Sequence, residues 1–177
     1  MRNKNKRGVI LSLALCIAAT LLPADAALRI EITEGVEGAL PIAIIPFGME
    51  SGVNVETDLA AVVAADLKST GLFEPLPVDA MLEKPSRPQD VDYANWRQVG
   101  VENVVVGTIA ANGRGKYRIR FDILGVAQQR SLTSFRVTAQ EGELRDAAHA
   151  VANLIYENFT GEDGYFDTRI VYVAVSG

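Results

Sequence analysis

The residues able to do chemistry are few and scattered. His149 is the only histidine and Cys16 the only cysteine, so imidazole and thiolate ligands cannot combine into a tetrahedral metal set. As a catalytic base, His149 would need a nucleophile on one ring nitrogen and an orienting carboxylate on the other. On a helical wheel it falls about 140° from Leu144, on the polar side near Arg145 and Tyr156. A solvated helix residue is the expectation. Asp66 lies about 20° from Leu59, inside an apolar stripe. A catalytic carboxylate there would need a partner, and none is visible in sequence. A structural acceptor for backbone amides is expected instead.

Arg114, Lys116, Arg118 and Arg120 recur at every second position. On a strand this spacing puts all four on one face. A nucleic-acid surface would set aromatics among them, yet Tyr117 and Phe121 point to the opposite face. The solvated side of a half-buried sheet is the plain account, and a protein contact stays open. Gly113 and Gly115 belong to turn chemistry, with no lysine–serine pair after a strand–helix turn to hold phosphate. No nucleophile motif is present. The expectation is a non-enzymatic protein with no cofactor and no metal.

Residues 28–33 alternate apolar and polar, so Leu28, Ile30 and Ile32 share one strand face. Two accounts fit. The segment is the first strand of the domain, or it is an arm that adds to the sheet edge of a partner. Gly35 and Gly38 separate it from the next apolar run. The pattern alone serves both.

The elements that must carry these side chains come in a readable order. Residues 41–47 (PIAIIPF) are a strand that Pro46 ends or confines to an edge, and residues 48–53 read as a loop. Val55, Leu59, Val62, Val63 and Leu67 mark a helix stopped by Gly71. Residues 73–77 form a short edge strand. Asp90 or Asp92 caps a short helix through Trp96 and Val99, ended by Gly100.

Residues 101–110 are a buried strand rich in β-branched side chains. A turn at residues 112–115 leads to two alternating strands, residues 116–124 and 128–139. Leu132, Phe135 and Val137 are core candidates on the second. Residues 143–160 make the longest helix, with Leu144, Ala148, Val151 and Ile155 as its apolar stripe. The fold class is therefore α/β: a single mixed β-sheet with two longer helices and one short helix packed against it. Residues 169–175 read as one more strand, which suits the opening of a further unit.

The N-terminus reads as an export signal. Arg2, Lys4, Lys6 and Arg7 precede an apolar stretch over residues 9–22, and Ala24, Asp25 and Ala26 form an A-x-A cut site. That stretch spans about 21 Å as a helix, short of a hydrocarbon core near 30 Å. Cleavage after Ala26 would remove Cys16, and Leu15 is too large for a lipoprotein site. The chain carries 17 basic and 22 acidic residues; losing residues 1–26 leaves 13 against 21, a net −8. An acidic domain has no general attraction for nucleic acid or anionic lipid.

Four stretches, LRIEITEGVEGALPIAIIPF, VVAADLKSTGLFEPL, NWRQVGVENVVVGTI and GYFDTRIVYV, occur in this order behind the signal. Together they resemble the N-terminal part of the TolB family, periplasmic components of the Tol-Pal system of Gram-negative envelopes. The resemblance implies a signal peptide at 1–26, a partner-binding arm at 27–38 and an α/β domain at 39–164. Residues 165–177 would begin a β-propeller that is truncated here. It also implies that Ala27, Leu28, Arg29, Ile30, Glu31, Ile32, Thr33, Glu34, Gly35, Val36 and Glu37 bind TolA, while Pal would be bound through the propeller. Maintenance of the outer membrane and constriction at division would be the system's role. A small-ligand carrier of the envelope is the alternative, and would need an apolar pocket with converging polar groups.

Overall fold

The computed structural model describes residues 38–167. The export segment, residues 27–37 and the terminal strand expected at 169–175 lie outside the described residues. In chain order the elements are β1 (Leu40–Ile44), β2 (Gly48–Met49), α1 (Leu59–Ser69), β3 (Phe73–Pro75), α2 (Tyr93–Gln98), β4 (Asn103–Ala111), β5 (Lys116–Gly125), β6 (Arg130–Gln140) and α3 (Leu144–Thr160). The six strands make one mixed sheet ordered β3-β1-β4-β5-β6, with β2 also paired to β4. The expected α/β class, with two longer helices and one short one, is what the described residues adopt.

Parallel pairing joins β1 to β3 and to β4, whereas β4, β5 and β6 are antiparallel neighbours. Pro46 interrupts what would otherwise be one strand along β4. The amide of Ile45 donates to Val105 O at 3.0 Å, and pairing resumes when the amide of Glu50 donates to Ile109 O at 2.9 Å. Pro46 has no N–H to give between them. Gly48 and Met49, read from sequence as loop, therefore pair with Thr108 and Ile109.

Helix α1 starts later than its periodicity suggests. Asp58 takes the N-cap and accepts a 3.0 Å bond from the amide of Ala61, so Val55 stays outside the helix although it is buried. A capping oxygen offsets an orphan amide, and its removal costs about 1 kcal/mol. At the other end Gly71 adopts φ 72°, as a helix stop requires. Asp92, rather than Asp90, caps α2 through the amide of Ala94 at 2.9 Å.

Helices α1 and α3 cover one face of the sheet. Ile42, Val105, Ile119, Phe121 and Ile123 are fully buried beneath them, and each such side chain contributes roughly 1.5–3 kcal/mol relative to exposure. Ala148, Val151 and Ile155, from the predicted stripe of α3, close this layer. On the opposite face α2 and the loops around it cover only part of the sheet. Trp96, Val101, Met81 and Val91 pack there on Ala43, Ile45, Val104 and Val106.

Leu132 departs from expectation. A register shift opposite Ile123 and Leu124 pairs those residues with Thr133 and Ser131, so Leu132 is left in a bulge. It is half-buried and belongs to neither core cluster, while Phe135 and Val137 pack against the larger one. Beyond α3 the chain folds back. Asn153 Oδ1 accepts from the amide of Phe166 at 2.9 Å, and its Nδ2 donates to Asp167 at 3.0 Å. Tyr156 meets the rings of Tyr165 and Phe166 edge-on.

Candidate functional site

Asp66 and His149, singled out separately in sequence, form one unit. Asp66 lies in the last turns of α1 and His149 in the second turn of α3. Nδ1 of the ring is 2.6 Å from Oδ2 of the carboxylate, and both side chains are only 18% exposed. Two expectations are corrected. His149 is not a solvated helix residue, and the partner of Asp66 is not a backbone amide. A wheel places a residue relative to its own helix alone; here α1 lies along the flank of α3 that a single-helix projection assigns to water. No serine, threonine or cysteine side chain is hydrogen bonded to His149 among the described residues. The nearby hydroxyls of Ser69 and Thr70 donate to the carbonyls of Asp66 and Leu67 at 2.6 and 2.7 Å. The pair thus braces two helices.

The sheet end left open by α2 carries a cluster of cations. Lys116, Arg118 and Arg120 project from β5 and are exposed, while Ile119, Phe121 and Ile123 turn to the covered face. Arg114, expected on the same strand face, sits instead in the β4–β5 turn with φ 52°, between Gly113 and Gly115 at φ 74° and 71°. Strand pairing adds a residue that the stripe did not include. Arg136 on β6 stands directly opposite Arg120, with Thr138 opposite Arg118 and Gln140 opposite Lys116. On the other flank Thr108 and Ala110 of β4 pair with Arg120 and Arg118. The signal for Arg136 was its parity with Ser134 and Thr138, opposite to Phe135 and Val137; only the hairpin register sets it beside Arg120.

An acid also belongs to this face. Asp122 is 5% exposed, accepts a bond from the Ser134 hydroxyl and lies 3.9 Å from Nε of Arg120. Arg118 donates to Asn112 Oδ1 at 3.2 Å. Where the face meets the loop before α2, a polar cleft of about 370 Å³ is lined by Ser86, Arg87, Gln89, Thr108, Arg120 and Asp122, among others. A second, apolar cleft lies between α1 and residues 75–78 and holds about 190 Å³. That volume is below the roughly 300–1,000 Å³ of small-molecule sites. Among the described residues no group of three His, Cys, Asp or Glu side chains is placed to hold a metal ion. None of their helices is long and apolar enough to cross a membrane.

Residues 28–132 match the model of the family described as the TolB amino-terminal domain. The chain belongs to that family. The match begins at Leu28 and so takes in most of the segment read as a partner-binding arm. The Tol-Pal system protein TolB of Thioalkalivibrio sulfidiphilus is 40% identical over 169 residues, covering 95% of this chain and 39% of that relative. The protein of the same name from Nitrosococcus oceani is 42% identical over 151 residues, covering 85% of this chain and 35% of its own length. The chain therefore spans well under half the length of these TolB relatives. The crystal structure of TolB from Acinetobacter baumannii superposes with a TM-score of 0.61 at 25% identity, over 74% of this chain and 31% of that one. The mixed sheet and its helices are the fold of a TolB amino-terminal domain.

Proposed function

We propose that the chain is a non-enzymatic periplasmic adaptor of the Tol-Pal system, with residues 27–37 binding TolA. The observation that carries this is the family match over residues 28–132, which starts directly behind the A-x-A site. The alternation of Leu28, Ile30 and Ile32 supports strand addition as the mode of contact, since main-chain bonds would supply affinity and alternate side chains selectivity. As an adaptor of that system it would serve outer-membrane integrity and constriction at division. Pal would be engaged by the propeller expected beyond this domain, whose first strand residues 169–175 would form.

Calorimetry decides the TolA part. The chain should bind the periplasmic domain of TolA, and deletion of residues 27–37 should abolish binding while leaving the melting transition in place. Equal affinity of the deleted chain would make residues 28–33 merely a strand of the domain.

A further inference from the structure

We propose that the open face of β4, β5 and β6 is a docking surface for an extended acidic segment of a protein partner. This does not depend on how residues 27–37 act, because it rests on a different part of the fold. The chain is acidic overall, at −5. Yet Arg87, Lys116, Arg118, Arg120 and Arg136 collect on one face and its adjoining cleft. The acids beside them include Glu50, which lines the same cleft, Asp122, already occupied by Ser134 and Arg120, and Glu143, already bonded to Gln140.

The register makes the clustering costly. Arg120 and Arg136 are direct cross-strand partners, and like charges so placed destabilise a sheet. Thr108, Ala110, Thr138 and Gln140 beside them are uncharged, so on the strands the buried Asp122, 3.9 Å from Nε of Arg120, is the carboxylate set against the two guanidinium groups. A carboxylate laid between the two guanidinium groups would remove the penalty and gain charge-assisted hydrogen bonds.

Spacing identifies the occupant. Alternate residues on β5 stand about 6.8 Å apart, the same interval as alternate side chains on any extended chain. An acidic segment with carboxylates at every second position therefore meets Lys116, Arg118 and Arg120 in step. The small side chains of Thr108 and Ala110 leave the surface low enough for a backbone to lie across it. A nucleic acid would look for aromatics among the cations, and a lipid surface for apolar side chains. Threonine, alanine and glutamine lie between these cations instead.

The test uses the 177-residue chain and a fluorescein-labelled peptide of alternating Glu and Ser, about twelve residues long, read by fluorescence anisotropy. The peptide should bind, more weakly as salt rises. The combined substitutions Lys116→Ser, Arg118→Ser and Arg136→Ser should weaken it at least about tenfold. A charge-matched control, Lys84→Ser, Arg97→Ser and Arg145→Ser, should bind like the parent. Melting by circular dichroism checks that each variant is folded. If the triple variant is not, Arg136→Gln alone should still lose about threefold. The proposal is overturned if the parent ignores the peptide or if the control loses as much as the triple variant. It also fails if phosphatidylglycerol vesicles or a single-stranded oligonucleotide of equal charge bind the face more tightly. Preferential binding of a free peptide of residues 27–37 would make the occupant the chain's own arm, and would equally sink it.

Discussion

Nδ1 of His149 lies 2.6 Å from Oδ2 of Asp66, tying α3 to α1 across 83 positions of sequence. Since both side chains are largely shielded from water, removing either strands the other. Asp66→Ala should lower unfolding free energy by about 1–3 kcal/mol, and His149→Ala should act similarly. The double variant should cost less than the two singles together, with a coupling of about 0.5–3 kcal/mol. Urea unfolding of the four proteins measures it. Strict additivity would mean that the two groups do not support each other.

Glu83 is a second brace, and one that no sequence pattern suggests. Its Oε1 accepts from the amide of Asp92 at 2.9 Å and from the indole Nε1 of Trp96 at 2.8 Å. Trp96 is 1% exposed, so loss of that acceptor leaves a buried donor unpaired. Glu83→Ala should destabilise by about 1–3 kcal/mol, and Glu83→Gln, which keeps an acceptor oxygen, by less. Equal losses in the two variants would assign the effect to charge.

Gly107 is held glycine by its neighbours. A Cβ there would lie 2.9 Å from the carbonyl oxygen of Arg120 and 3.1 Å from the ring of Phe47. The backbone oxygen cannot step aside without disturbing the β4–β5 pairing. Gly107→Ala should therefore cost about 1–3 kcal/mol, as overpacking does. An unchanged denaturation midpoint would show that the strands yield.

Within the proposed arm, the two faces of the alternating segment should behave differently. Ile30→Asp places a charge where an apolar group must be desolvated, and should weaken TolA binding at least about tenfold. Arg29→Ala, on the other face, should matter less and chiefly at low salt. Calorimetry on both variants distinguishes strand addition from a contact made by charge alone, which would reverse the order.

Much of the architecture could be read from local pattern because local pattern is what forms it. Leu144, Ala148, Val151 and Ile155 recur at helical spacing and all are buried in α3. Ile119, Phe121 and Ile123 alternate on β5 and are all buried. What escaped depends on partners distant in sequence. The pairing of Gly48 and Met49 exists only because β4 offers Thr108 and Ile109. Leu132 is apolar but out of step with Phe135 and Val137, and the bulge leaves it outside the strand ladder. For the candidate site, the stripe on β5 was legible, but the confrontation of Arg120 with Arg136 needed the register of two strands. The TolA-binding assignment rests on family resemblance, since alternation over residues 28–33 describes an inner strand and a free arm equally well.

The place of β1 inside the sheet, between β3 and β4, has a kinetic consequence. β4, β5 and β6 succeed one another through short turns, and α3 comes directly after them. β1 instead waits for partners far along the chain, as in Ile42 beside Asn103 and Ile44 beside Val105. Closing a longer loop costs more entropy before any contact rewards it. The antiparallel half should therefore assemble first, and β1, α1 and β3 should join it afterwards, so that the parallel flank of the finished sheet is made last. Pulse-labelled exchange should find amides of β5 protected before those of Ile42, Ala43 and Ile44, and the reverse order would contradict this. Until β1 arrives, β4 presents an unpaired edge of Val104, Val105 and Val106, and that interval is when this domain is most exposed to aggregation.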